Sequence, residues 1–157
     1  MPESCPIVPQ LVDNRATRIS AGLTLLVVIA TLWLGRPWLP LALALDFALR
    51  SRGRVAWSPI AQASRLLRQA FGLRPSPVNA GPKRFAALVG AVFALVIALG
   101  LGFHLARVAQ AAAAILLLCA ALEAFLGLCV GCKVYSLLQP LLPDPGHPAK
   151  ADSPEHP

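Results

Sequence analysis

The chain has 157 residues, 57% of them hydrophobic and only 13% charged, with a net charge of +7. A soluble domain carries about 25% charged residues, so this composition and a mean hydropathy of +0.66 point away from a water-soluble enzyme and toward an all-α integral membrane protein. The positive charge suits anionic lipid headgroups; it does not suit nucleic acid, because the basic stretch from Arg50 to Arg84 offers only Trp57 and Phe71 for base stacking.

Residues 1–14 form a proline-rich leader that contains Cys5 and Asp13. Arg15 and Arg18 mark the entry to a first apolar span, Ile19 to Leu34, which we read as a retained helix because no small-residue cleavage site and soluble domain follow it. Gly35 and Pro37 make a tight turn, bracketed by Trp33 and Trp38 as interfacial anchors. The second span, residues 38–49, covers about 18 Å against about 30 Å of hydrocarbon, so it either crosses as a thin or tilted helix or forms a re-entrant hairpin.

A basic loop, residues 50–84, follows. Within it, Ser58 suits an N-cap and Pro59 a first helical position. Ile60, Ala63, Leu67 and Phe71 then recur at helical spacing, with Arg65 and Arg68 facing elsewhere. This pattern predicts an amphipathic helix over 58–73 that lies on the membrane surface. Phe85 to Phe103 carries no charge and predicts a third span; His104 and Arg107 mark a short connection with no assigned function. The fourth span runs from Val108 to Val130 and holds Cys119 and Glu123. Residues 140–157 contain six prolines and read as a disordered tail.

The expected architecture is a membrane domain over 15–139, with four transmembrane helices, the second short, plus the interfacial helix. Lysine and arginine crowd the loop 50–84, whereas the turns after spans one and three hold only Arg36 and Arg107. By the positive-inside rule the loop and both termini face the cytoplasm, in the cell inner membrane. Cys5, Cys129 and Cys132 then share a reducing face, where structural disulfides are disfavoured.

A leader beginning "CP" is followed by "VDNRATRIS", "LALDFALR", "SPIAQASRLLRQAFGL", "PVNAGPKRFAA" and "LEAFLGLCVGCKVY". In this order the segments resemble the small bacterial membrane proteins grouped as domain of unknown function 4395, over about residues 4–139. The resemblance implies an inner-membrane protein of four spans and no established activity. The matching positions are Cys5, Pro6, Asp13, Arg18, Asp46, Pro82, Lys83, Arg84, Phe85, Glu123, Gly127, Cys129, Gly131 and Cys132. None becomes catalytic by carry-over.

Chemistry concentrates in "FLGLCVGCKVY", residues 125–135. On a helix, Cys129 and Cys132 lie on neighbouring parts of one face, within the span of about 4.4–6.8 Å between Cα atoms that a disulfide needs. A candidate dithiol follows, with Cys5 as a third thiol. At the C-terminal end of a helix the dipole opposes a thiolate, and Lys133 offsets some of that; a break at Gly127 with a new helix from Cys129 reverses the argument. The partner of such a pair is a thioredoxin-like or rhodanese-like protein, met by thiolate attack on a disulfide or persulfide.

Two other readings stand beside it. Cysteine also packs as a small apolar residue, as Cys119 does within an alanine- and leucine-rich run. Gly127 and Gly131 form a small-xxx-small pair in line with Cys119 and Glu123, so the protein is equally a non-enzymatic membrane scaffold. Structural zinc wants four ligands, and one CxxC with Cys5, His147 and His156 falls short unless two chains pair in a homo-oligomer.

Asp46 and Glu123 are the two intramembrane acids, placed where Arg15, Arg18, Lys83 or Arg84 can neutralise them. They form either a polar clamp between helices or an ion relay, and transport needs an oligomer. No motif calls for a bound cofactor. The chain has no phosphate-binding glycine loop, no HExxH and no serine–histidine–acid set, which excludes a conventional hydrolase or nucleotide enzyme.

Overall fold

Asp13 sets the start of the bundle. Its carboxylate accepts a hydrogen bond from the Arg15 N–H at 3.0 Å, so helix α1 runs over Asn14–Leu34 and begins before the expected Ile19. The computed structural model describes residues 11–138; Cys5 and the tail 140–157 lie outside the described residues. α1 ends at Gly35, whose φ of 59° lets its N–H reach the Thr31 carbonyl at 2.9 Å.

α2 (Trp38–Ser51) follows, then a short 3₁₀ turn at Val55–Trp57 and α3 (Pro59–Ala70). Ser58 caps α3, accepting from the Ala61 N–H at 3.1 Å. α4 spans Ala80–Gly102 and so opens before the expected Phe85, because Pro82 is tolerated in a first turn where its missing N–H has no partner to lose. His104 takes a left-handed φ of 57° in the connection to α5 (Ala106–Ala121). α5 continues as a π-helical turn, Leu122–Leu126, and stops at Gly127. A last helix, α6, covers Val130–Leu138.

One element lies outside the all-helical expectation. Leu11–Asp13 (β1) pairs antiparallel with Pro77–Asn79 (β2), with Val12 opposite Val78. The pairing sets the first residues of α1 and α4 side by side. Between them the chain leaves this end along α1 and returns along α2, where the Arg50 guanidinium donates to Ser20 Oγ of α1.

Among the described residues, three helices are long and apolar enough to cross a membrane: Asn14–Leu34, Ala80–Gly102 and Ala106–Leu126. α2 has 14 residues, about 21 Å at 1.5 Å per residue, which is short of the hydrocarbon thickness. The sequence expected four spans with the second one short; among the described residues three helices are long enough to cross, and α2 is the short one. The Gly35 turn limits α2 at one end and the break after Ser51 at the other.

The core lies where α1, α2, α4 and α5 meet, around Val28, Leu43, Ala94, Ile97, Ala113 and Leu116. Small residues bring the backbones together. A Cβ on Gly100 would stand 3.0 Å from the Ala109 Cβ, the close approach by which membrane helices gain packing energy. Thr24 and Thr31 are buried, and their hydroxyls donate to the carbonyls of Ser20 and Val27 at 2.9 and 2.8 Å. Large apolar side chains point outward instead, Leu26, Leu45, Val92 and Leu118 among them. That inversion suits a lipid surround and would be an aggregation hazard in water.

α3 (Pro59–Ala70) meets the bundle through a face other than the apolar stripe read from the sequence. Ala61 and Ser64 are the buried residues, while Leu67 and Phe71 are exposed. The small side chains let α3 lie close to α1, which leaves its bulky ones facing away.

Candidate functional site

The polar end of the bundle is organised by three acids. Asp13 caps α1, accepts from the Ser76 N–H at 3.0 Å and pairs with Arg68 of α3 at 2.8 Å. Asp46, 3% exposed, pairs with Arg50 one turn on in α2 at 2.9 Å. It also accepts from Ser58 Oγ at 2.6 Å and the Ile60 N–H at 3.2 Å, which ties the start of α3 to α2. Glu123 pairs with Lys83 of α4 at 2.6 Å. Each of these three acids thus has an opposite charge, the condition under which ionised groups leave water.

Of the basic residues named from the sequence, Lys83 alone meets one of the two intramembrane acids. Arg84 lies over Gly53, where an added Cβ would come within 2.5 Å of its guanidinium. Arg18 is engaged elsewhere, its guanidinium donating to the carbonyls of Ala124 (3.2 Å) and Phe125 (2.9 Å). Those carbonyls belong to the last turn before Gly127 and have no partner further along the helix, so a cation there satisfies them and meets the negative end of the dipole. Sequence reasoning missed Arg50 as the partner of Asp46, although the i, i+4 spacing on a helix was the available signal.

The fourth span does not run through to Val130. Gly127 adopts φ 69° and its N–H closes on the Glu123 carbonyl at 3.1 Å. The chain then restarts: the Cys129 carbonyl accepts from the Lys133 N–H at 3.1 Å, so Cys129 stands at the N-cap of α6. The stripe expected from Cys119 through Gly131 on one helix is therefore broken, and the CxxC lies at a helix start. Here backbone N–H groups and the positive end of the dipole favour a thiolate.

α6 is held against α4. Gly131, inside the CxxC, sits so close to Ala86 that a Cβ would come within 2.6 Å of the Ala86 Cβ. The rings of Phe85 and Tyr135 meet with centroids 5.6 Å apart. Cys129 is 9% exposed and Cys132 half-buried.

The two thiols are inequivalent. Cys129 is pulled below the usual thiol range, first by the Cys132 thiol that hydrogen-bonds to it and further by the Cys132 N–H and the Lys83 ammonium; burial and the Glu123 carboxylate oppose this. Cys132 is pushed up, first by its bond to Cys129 and then by burial. A nucleophilic or leaving sulfur next to a protonated one is the arrangement a working dithiol needs.

Cys129 lines a cavity of about 810 Å3, together with Cys119, Glu123, Lys83, Arg50 and Ser20. Among the described residues, no group of three His, Cys, Asp or Glu side chains is placed to hold a metal ion.

The family model described as Domain of unknown function (DUF4395) matches residues 12–140. No curated protein and no solved structure matches the chain.

Proposed function

We propose, for a chain that belongs to the DUF4395 family, that it is a membrane dithiol protein exchanging electrons or sulfur with a thioredoxin-like or rhodanese-like partner through Cys129 and Cys132. The observation that carries this reading is the break at Gly127, which makes Cys129 an N-cap thiol bonded to Cys132.

The unequal exposure of the two cysteines supports one order of steps. Starting from the Cys129–Cys132 disulfide, a partner thiolate attacks the more accessible Cys132 sulfur, and Cys129 departs as a thiolate. A low thiol pKa makes it the better leaving group. The second partner thiol then attacks its own sulfur in the mixed disulfide and releases Cys132, which takes up the proton. Two electrons pass from the partner to this chain, and the partner becomes the disulfide. With a persulfide partner the pair starts reduced: the Cys132 thiol gives up its proton and attacks the outer sulfur, the new S–S bond forms on Cys132, and the partner's inner sulfur leaves as a thiol.

The surrounding topology is part of the proposal. α2 serves as a short fourth pass, α3 rests at the headgroup level with Trp57 and Phe71 toward lipid, and the Asp13–Asp46–Glu123 end faces the cytoplasm of a bacterial inner membrane. The clustering of arginine and lysine at that end supports the orientation.

Cysteine trapping tests the reading. Cys129→Ser leaves Cys132 to hold a reducible adduct with an oxidised thioredoxin-like protein, whereas Cys132→Ser accumulates none. If neither variant traps an adduct, and Cys129 resists a membrane-permeant alkylating reagent in the folded protein, the dithiol reading is wrong. The close Gly131–Ala86 approach then favours the scaffold reading, with cysteines that only pack.

A further inference from the structure

The cavity that Cys129 borders extends well beyond the cysteine, and its charges do not balance. Its volume of about 810 Å3 lies inside the range of about 300–1,000 Å3 typical of small-molecule sites. Arg50, Arg65, Lys83 and Arg84 line it, against the carboxylates of Asp13 and Glu123. Arg50 is matched by Asp46, Lys83 by Glu123 and Asp13 by Arg68. Arg65 and Arg84 are left over. Among the described residues, neither guanidinium pairs with a carboxylate or donates to a hydrogen-bond acceptor.

Both side chains reach open space, Arg65 being exposed and Arg84 half-buried. Arg84 keeps its place because Gly53, at φ 76°, has no Cβ; one would stand 2.5 Å from the Arg84 Nη2. From these cations the cavity runs inward along helices long enough to cross a membrane, to Thr24 on α1, Phe93 on α4 and Leu116 on α5. The Thr24 hydroxyl is engaged by the Ser20 carbonyl, so it leaves this inner wall apolar. Nine positions separate Arg84 from Phe93, about 14 Å along α4 at 1.5 Å per residue. One leaflet of hydrocarbon is about 15 Å deep, half of the whole core.

We infer that this cavity holds a single anionic phospholipid, its phosphate accepting from Arg65 and Arg84 and an acyl chain lying along the inner wall. Charge selects the head, since the two cations lack a counter-charge within the described chain. Depth and polarity select the chain. A free phosphate answers the cations but leaves the inner wall empty. A zwitterionic lipid fills the wall but brings a cation of its own to a mouth that already has an excess. The site does not depend on the dithiol reading.

The test uses the full chain in phosphatidylcholine nanodiscs, with a phosphatidylglycerol that carries a photoreactive group midway along one acyl chain. Crosslinks are mapped by mass spectrometry. Labelling at Phe93 and Leu116 should saturate at a low mole fraction and be displaced by unlabelled phosphatidylglycerol. Labelling at the outward-facing Val92 and Leu118 should rise linearly, as for lipid around any span. Arg65→Gln with Arg84→Gln should raise the half-saturating mole fraction at Phe93 roughly tenfold, the loss of about one hydrogen bond to a charged group. It should leave Val92 and Leu118 labelling unchanged. Ala87→Phe, which keeps both arginines and fills the cavity between its ends, should abolish the labels at Phe93 and Leu116.

Equal displacement by phosphatidylcholine removes the need for an anion and overturns the site. Displacement by glycerol phosphate makes it a free-phosphate site, and displacement by oleate at equal mole fraction makes a fatty acid the occupant; either result overturns the phospholipid. Labels confined to Val92 and Leu118 show surrounding lipid only and overturn it as well, even where the variants do not fold. None of these outcomes bears on trapping at Cys132, so this inference and the dithiol reading fail separately.

Discussion

Around Cys129, two neighbouring charges pull in opposite directions, and their removal should show it. Lys83 favours the thiolate and Glu123 disfavours it. In a Cys132→Ser background, where a hydroxyl still donates to the sulfur, the alkylation rate of Cys129 should rise with pH and level off below the ordinary thiol midpoint of about 8.5. Lys83→Gln should move that midpoint up, and Glu123→Gln should move it down. Equal midpoints in all three proteins would show that the ion pair does not sense the thiol. That Glu123 needs a cation was legible, because it is a carboxylate inside an apolar run; which of Arg15, Arg18, Lys83 and Arg84 supplies it was not, and the structure gives Lys83. The sign of the dipole at Cys129 was not legible, because it depends on one backbone angle at Gly127. A glycine within an apolar run is as consistent with a packed helix as with its end. Arg50 was hidden for another reason: its position next to the basic loop made it look like a solvated boundary residue.

Among the elements, α6 depends on two glycines that should fail differently. Gly127→Ala forces a side chain into a left-handed conformation, at about 1–2 kcal/mol, but meets nothing closer than Arg18 at 3.6 Å. Gly131→Ala drives a methyl into the Ala86 backbone, with Cα at 2.7 Å, and overpacking of this kind costs about 1–3 kcal/mol. The first variant should loosen the turn, with a modest fall in thermal stability and a Cys129 profile shifted toward an ordinary thiol. The second should push α6 off α4 and abolish the Phe85–Tyr135 contact, which tyrosine fluorescence near Phe85 and thiol accessibility can follow. Identical behaviour of the two would contradict the distinct roles given them. The long helices were readable from their uncharged runs. The β1–β2 pair was not, since three residues on each side carry too little alternation to separate a strand from a loop.

For the molecule as a whole, orientation and the buried charges can be tested together. A single cysteine at position 62, on the exposed side of α3, should be labelled from the cytoplasmic side only; labelling from the periplasm alone sinks the proposed topology. Asp46→Leu leaves Arg50 buried without its partner and should lower the yield of folded protein, by the roughly 3–5 kcal/mol that a broken buried pair costs. Asp46→Leu with Arg50→Leu should recover most of that yield. Composition made the membrane setting legible, and Arg50 closing the apolar run after Trp38 already marked α2 as the short helix; apolar content alone does not decide whether so short a helix crosses. The β1–β2 pairing also has a consequence for biogenesis. Residues 11–13 leave the ribosome before the helices they cap, yet their partners at 77–79 emerge only after α1, α2 and α3 have been made, and the carbonyls that Arg18 holds arrive later still, at the π-helical turn that ends α5. Through most of synthesis the amino-terminal segment is therefore a strand without a ladder, open to proteases and chaperones. It becomes sheltered when α4 begins, and α6 is added to an end that has already closed.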